Sequence, residues 1–502
     1  MKVLMLSSEV TPFAKTGGLA DVVGSLPPYL EAHGCKTCVM MPFYRQVARG
    51  GFKIKPVGQK VSVAVRDGTV DGEILEGRIN SSVPIYFIRQ DAYYDRDGLY
   101  GTPQGDYPDN CERFVFFARA ALQAVKNMGL KPDLVHCHDW QSALVPIYLK
   151  TTHRDDPELS GAATLLTIHN LAYQGVFWHL DMPLIGLEWS YFDPEYLEFY
   201  DKVNILKGGI IFSTLLNTVS RKYAQEIQTE EYGCGLEGVL AKRKKDLYGV
   251  LNGVDYSVWD PETDKLIPAR YSHKDLSGKR KCKAALQKMC GLPLRSSPLI
   301  GCISRLADQK GFDLIAKAMD DIMALDLQMV ILGTGEQRYH DLLKKIGGEY
   351  PRKISVNIRF DNKMAHMIEA GADMFLMPSR YEPCGLNQLY SLKYGTVPIV
   401  RSTGGLADTI TNCTPSTLKT GKANGFAFRE YNAARFLAAV RKAVRMYSDG
   451  RAWKRLMLNG MKQDWSWSRS AGEYIKLYAK AIRRHREYMK SRLVGGNATE
   501  VA

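Results

Sequence analysis

The stretches KTGGLADV at 15–22 and STGGLADT at 402–409 share the six letters TGGLAD. The first follows the apolar run KVLMLSS, 2–8, across a short loop, and the second follows TVPIVRS, 396–402, directly. An apolar run, two glycines and then Leu-Ala-Asp read as a strand, a tight turn and the start of a helix. Glycines let a backbone turn and expose its N–H groups, and a helix N-terminus favours an anion. One glycine pair marks no more than a turn. Two copies, at what read as equivalent strand ends of two α/β halves, predict one shared cleft of nucleotide-binding type.

Outward from these stretches the pattern repeats. KTCVMMP, PIYFIR, PDLVHCH, ATLLTIH and LLNTVS follow in the first half; PLIGCIS, LQMVILG, ISVNIRF and ADMFLMP precede TVPIVRS in the second. Helical spacings such as CERFVFFARAALQAVKNM lie between them, so parallel sheets covered on both faces are expected. The series is interrupted around LYGVLNGVDYSVWDPETD. The fold class is therefore α/β with two doubly wound domains, 1–250 and 251–465. An amphipathic helix over 466–490 follows, with apolar residues at 475, 478, 479 and 482, and then a disordered tail, 491–502.

The ten cysteines are scattered singly among 502 residues, which suits reduced, buried thiols. No window holds the ~20 apolar residues of a membrane span. MKVLMLSSEV lacks a signal peptide's long apolar region, so a cytoplasmic protein beginning here is expected. The net charge is +14, and the densest basic runs, KRKK, 242–245, and RRHR, 483–486, lack the aromatic interleaving of a nucleic-acid site. These read as solvated surface. Neither a membrane nor a nucleic acid is expected as a partner.

Several loops carry chemistry. SRLADQKG, 304–311, places Arg305 and Lys310 together, a pair suited to a phosphate. RYEPCGLNQL, 380–389, puts Glu382 before a turn at Gly385. Asp139 ends one strand and His169 another. His136 and His138 share a strand face, Cys35 and Cys38 form a lone CxxC, and Asp95 and Asp97 form a DxD. None has the further ligands, at defined spacing, that a metal site requires, so no metal is expected.

In order, KTGGLADV, DNCERF, HCHDWQ, TIHNLAYQG, LNGVD, SRLADQKG and PSRYEPCGLNQLYSLKYGTVPIVRSTGGLADT resemble bacterial glycogen synthases and plant starch synthases over roughly residues 1–485. The resemblance implies the GT-B architecture: two Rossmann-like domains facing a central cleft, with the last helix returning to the N-terminal domain. It implies a cytoplasmic, retaining hexosyltransferase that moves glucose from ADP-glucose to the non-reducing 4-hydroxyl of an α-1,4-glucan such as glycogen or a maltooligosaccharide. ADP-glucose is then a co-substrate, and no cofactor is called for. By the same resemblance Lys15 reaches the donor's phosphates and sugar, with Gly17, Gly18 and Asp21 in its loop. Arg305 and Lys310 clamp the diphosphate. Glu382 lies beside the glucosyl group, and Cys384 and Gly385 offer backbone contacts to its hydroxyls. Leu386 and Asn387 present amides to the distal phosphate. Asp139 and His169 are sugar-side residues, Tyr107 and Asn252 fall in matching motifs, and Thr403 and Gly404 belong to the second glycine loop. Phe360 stands where the family often has a tyrosine near the base, so stacking survives and a phenolic hydrogen bond does not. A catalytically silent glucan-binding scaffold, a transferase using a UDP-sugar, and a phosphorylase-like degrader remain as alternatives.

Overall fold

The apolar runs are unalternating because both faces of their sheets are covered. Lys2–Leu6 (β1) is buried from Val3 onward. In a computed structural model, which describes residues 1–66 and 68–494, it is the middle strand of a nine-stranded sheet. The others are Lys36–Pro42 (β2), Lys55–Val65 (β3), Gly68–Ile79 (β4), Val83–Arg89 (β5), Leu134–His138 (β6), Ala163–Ile168 (β7), Leu215–Thr218 (β8) and Leu247–Gly249 (β9). Their order is β9-β8-β7-β6-β1-β2-β5-β4-β3. All neighbours are parallel except at β3–β4 and β4–β5. That antiparallel edge is absent from the expected all-parallel series. Its signal is the alternation of buried and exposed residues along KVSVAV, which belongs to a strand wet on one face.

A second sheet holds Leu299–Ile303 (β10), Gln328–Gly333 (β11), Ile354–Ile358 (β12), Met374–Met377 (β13), Val397–Arg401 (β14) and Phe426–Phe428 (β15). All its pairs are parallel, in the order β12-β11-β10-β13-β14-β15. This is the doubly wound 3-2-1-4-5-6 order.

The chain divides into two compact units. One comprises Met1–Val219, Ala224–Gly253 and the C-terminal segment from Trp467; the other comprises Ser220–Tyr223 and Val254–Ser466. Among the described residues no helix is long and apolar enough to cross a membrane.

In each sheet the strand order reverses once, at β1/β6 in the first and at β10/β13 in the second. Ligands of open parallel sheets sit beyond the strands' carboxyl ends at such a reversal. The first TGGLAD follows β1 and stands at its reversal; the second follows β14, one strand away from its own. The expectation of equivalent strand ends is therefore wrong. The counterpart of KTGGLAD in the second unit is SRLADQKG, which follows β10.

The last helix runs Trp467–Val494 and packs on β7 and on the helix Gly18–Ala32. Its buried stripe is Ala471, Tyr474, Tyr478, Ala481 and His485, whereas Ala479 is exposed. The stripe expected at 475, 478, 479 and 482 is rotated, because two tyrosines and a histidine do part of the packing. Residues 491–494, expected in the tail, are helical; the rest of that segment, 495–502, lies outside the described residues.

The corrected stripe is open to test by urea unfolding. Ala481→Lys places a charge where exposure is 0% and should cost more than ~2 kcal/mol. Ala479→Lys, on the wet face, should stay within about 0.5 kcal/mol of the parent.

Candidate active site

In the first unit, the loop after β1 is organised by a carboxylate that the sequence reading missed. Glu9 is only 4% exposed. It accepts hydrogen bonds from the Thr16 amide (2.5 Å), the Thr16 hydroxyl (2.5 Å), the Gly17 amide (3.1 Å) and the Tyr100 hydroxyl (2.7 Å). The Gly17 amide, expected to face a ligand anion, is thus engaged from within the protein. Gly17 and Gly18 are themselves exposed, and a Cβ built on either meets nothing within 4 Å. Their outer face admits close approach. Lys15, half exposed, lies on Asp21 with Nζ–O distances of 2.7 and 2.8 Å. In water such a pair holds with at most about 1 kcal/mol, so the four-carbon side chain can swing to another anion.

Asp139 and His169 leave the carboxyl ends of β6 and β7, which are neighbours. Asp139 has φ 54°, unusual for a residue with a side chain, and is 8% exposed. Its carboxylate accepts the His169 amide at 2.7 Å, and its own amide donates to the Thr167 carbonyl at 2.9 Å. Burial lifts the Asp139 carboxyl to about 7; the His169 and Asn170 amides counter this, and nearby Glu9 adds to it. Burial takes His169 down to about 3, so its imidazole is neutral at physiological pH. His169 Nε2 meets His138 Nδ1 at 2.9 Å. Asn252, 6% exposed, keeps a buried Oδ1 without a hydrogen-bond partner among the described residues. Tyr107 is held in place by the guanidinium groups of Arg96 (4.8 Å) and Arg113 (5.0 Å) against its ring, and its hydroxyl accepts the Gly98 amide.

In the second unit, the loops after β10 and β13 flank the reversal. Lys310 Nζ donates to Glu382 Oε2 at 2.6 Å, and the Ser379 hydroxyl donates to the same oxygen at 3.1 Å. Glu382 is 6% exposed. Two residues expected in separate roles thus form one ion pair, in which a partly buried lysine neutralises a buried carboxylate. Arg305 is exposed and held by Gln309 Oε1 at 3.0 Å. Asn387 Nδ2 donates to the Ile303 carbonyl at 2.8 Å, tying the helix Asn387–Tyr394 to the end of β10. The turn before that helix uses Gly385 at φ 68°, and Leu386 is the helix cap. Phe360, beyond β12, is 87% exposed.

The second glycine pair behaves unlike the first. Gly404 and Gly405 are buried under the Glu382 loop. The Gly405 amide donates to the Glu382 and Pro383 carbonyls, each at 3.2 Å. A Cβ on Gly404 would collide with the Glu382 carbonyl, and one on Gly405 with that of Cys384. Thr403 caps the helix Gly404–Thr409. This copy shapes the loop that carries Glu382 and does not itself offer the Gly405 amide to a ligand.

The remaining motifs have structural employment. Asp95 and Asp97 both accept from Arg45 at 2.6 Å. His136 is bonded to Tyr478 and Thr167. Among the described residues no group of three or more His, Cys, Asp or Glu side chains is arranged to hold a metal ion.

Comparison with known proteins adds an independent line. Residues 2–242 match the family model described as starch synthase catalytic domain, and 293–455 match glycosyl transferases group 1. The glycogen synthase of Koribacter versatilis is 48% identical over 96% of this chain and 98% of its own. That of Thermotoga petrophila is 48% identical over 96% and 99%. The catalytic domain of starch synthase IV from Arabidopsis thaliana, solved with ADP and acarbose, superposes with a TM-score of 0.87 at 33% identity, covering 96% of this chain and 99% of that one. Sucrose-phosphate synthase from Thermosynechococcus elongatus, at TM-score 0.58 and 16% identity over 96% and 99%, shares the fold alone.

Two outcomes are expected from this geometry. Gly405→Ala should destabilise the protein by about 1–3 kcal/mol through overpacking, while Gly17→Ala should be nearly neutral in the same urea titration. Asp139 governs a pH effect. Its unfolded form ionises near 3.9 and its folded form near 7, so the native state holds the extra proton between them. Stability should therefore fall as pH rises through that window, by up to about 1.4 kcal/mol per pH unit. Asp139→Asn should flatten that slope when both proteins are unfolded at pH 5 and pH 7.

Proposed function

Because this chain belongs to the family of bacterial glycogen synthases and starch synthases, a family of glycosyltransferases with the GT-B architecture, we propose that it extends an α-1,4-glucan with glucose from ADP-glucose. The glucosyl group passes to the non-reducing 4-hydroxyl with retention of configuration. The observation that carries the reading is the Lys310–Glu382 pair, partly buried at the second sheet's reversal, with the Glu382 loop shaped from beneath by Gly404 and Gly405.

As the glycosidic bond breaks, negative charge grows on the diphosphate and positive character on the sugar. Lys15, Arg305 and Lys310 answer the first, with the amides of Leu386 and Asn387. Glu382 and the carbonyl oxygen of His169 answer the second. Cys384 and Gly385 offer backbone groups to the sugar, Phe360 stacks on the base, and Asp139, Tyr107 and Asn252 serve the sugar and glucan. The leaving phosphate guides the acceptor hydroxyl to the same face, so no enzyme nucleophile and no metal enters the proposal. A cytoplasmic location accords with ten free cysteines.

A panel of ADP-glucose and UDP-glucose with glycogen and maltooligosaccharides, scored for nucleotide release, chain growth and product anomer, tests this directly. ADP release without chain growth, or growth only from UDP-glucose, overturns it. Arg305→Gln and Lys310→Gln should each cost about 2–4 kcal/mol of transition-state stabilisation. Lys310→Gln should also lower stability, since Glu382 is left buried and unpaired. Near-normal kcat in both variants removes the clamp assignment.

A further inference from the structure

Behind His169 lies a file of buried groups that ends on the last helix, and its proton directions follow from counting donors. The Thr167 hydroxyl has one proton, given to Asn217 Oδ1 at 2.6 Å. Thr167 Oγ1 must then accept from His136 Nε2, also at 2.6 Å. His136 is neutral, burial holding it well below its usual range, so its Nδ1 is a bare acceptor. The hydroxyl of Tyr478, 2.9 Å away on the helix Trp467–Val494, supplies the proton for that bond. The His136 ring packs against His138 with centroids 4.1 Å apart.

His138 is 0% exposed, and its Nε2 is buried without a partner among the described residues. Its Nδ1 meets His169 Nε2 at 2.9 Å, and the single proton between them can belong to either ring. Were it on His169, His138 would carry its own proton on Nε2 as a buried, orphaned N–H, the rarer and costlier defect. Placed on His138 Nδ1, it leaves only a lone pair unpaired. His169 Nε2 then accepts, and the His169 proton resides on Nδ1. Among the described residues nothing hydrogen-bonds that atom.

We infer that His138 is a positioning residue, which donates from Nδ1 to hold His169 in its Nδ1–H tautomer, so that this proton is offered to a hydroxyl oxygen of the sugar, while Tyr478 locks the ring stack behind it. The sugar end rests on the function proposed above; the tautomer does not. A wrong tautomer disables an active-site histidine even where its geometry is intact.

Long-range proton–nitrogen correlation spectra of the full-length, ¹⁵N-histidine-labelled protein read the tautomer directly. The His169 ring should show a pyrrole-type Nδ1 and a pyridine-type Nε2; a pyrrole-type Nε2 overturns the inference. His138→Phe should mix the tautomers and lower kcat/KM by about 10- to 100-fold, the range typical of lost outer-shell partners. His138→Asn, whose amide nitrogen falls near Nδ1, should restore most of both. Unchanged tautomer and activity in His138→Phe overturns the inference, and should that variant fail to fold, the wild-type spectrum still decides. Full activity in His169→Ala, with the tautomer as stated, overturns the sugar contact and leaves the positioning of the ring intact.

Discussion

A parallel strand delivers its chain to one end of the sheet, and the helix that returns it must lie on one face or the other. Covering both faces requires that strands be added first in one direction and then in the other. At the strand where the direction changes, the two flanking connections leave on opposite faces and a crevice opens between them. That constraint organises both units. In the first it sets the Lys15 loop beside Asp139, and in the second the Arg305–Lys310 loop beside Glu382.

Burial then decides what each of these groups can do. Glu382 is buried, and the partly buried Lys310 is held against it as an ion pair that offsets the cost of taking the carboxylate out of water. Asp139 lacks such a cation, and its carboxyl rises to about 7 despite two amide donors. The histidines nearby answer the same desolvation in the opposite sense and become neutral. His169 is thereby suited to hydrogen bonding and not to proton transfer as an imidazolium. Arg305 and Lys15 stay exposed to water.

The two TGGLAD copies show how one local sequence serves opposite ends. In both the chain turns through the glycines and enters a helix. The first pair faces outward above Glu9, and its missing side chains leave room for something else. The second lies beneath another loop, and its missing side chains are filled by the carbonyls of Glu382 and Cys384. Local geometry was shared; packing assigned the use.

Much was readable before folding was considered. Unalternating apolar runs named eleven strands, because a strand covered on both faces has no wet side to mark with polar residues. The antiparallel edge and the last helix's buried stripe were harder to read, since KVSVAV lies among polar residues, and the Tyr474 hydroxyl and His485 Nε2 are buried on partners distant in the chain, Asn217 and the Ser160 carbonyl. Glu9 drew no functional reading from the sequence, and His138 only a metal reading that its spacing did not support: a lone Glu after two serines, or a His within an apolar strand, shows its role only when its partners, distant in the chain, arrive. The sequence by itself determined the α/β class, the strand-turn-helix units and the residue types gathered at their turns, since these depend on neighbours within one or two turns of chain. Which turns stand at the reversal, which glycines face outward and which charges are paired were decided only by the tertiary structure, because strand order and burial are properties of contacts between segments far apart in sequence.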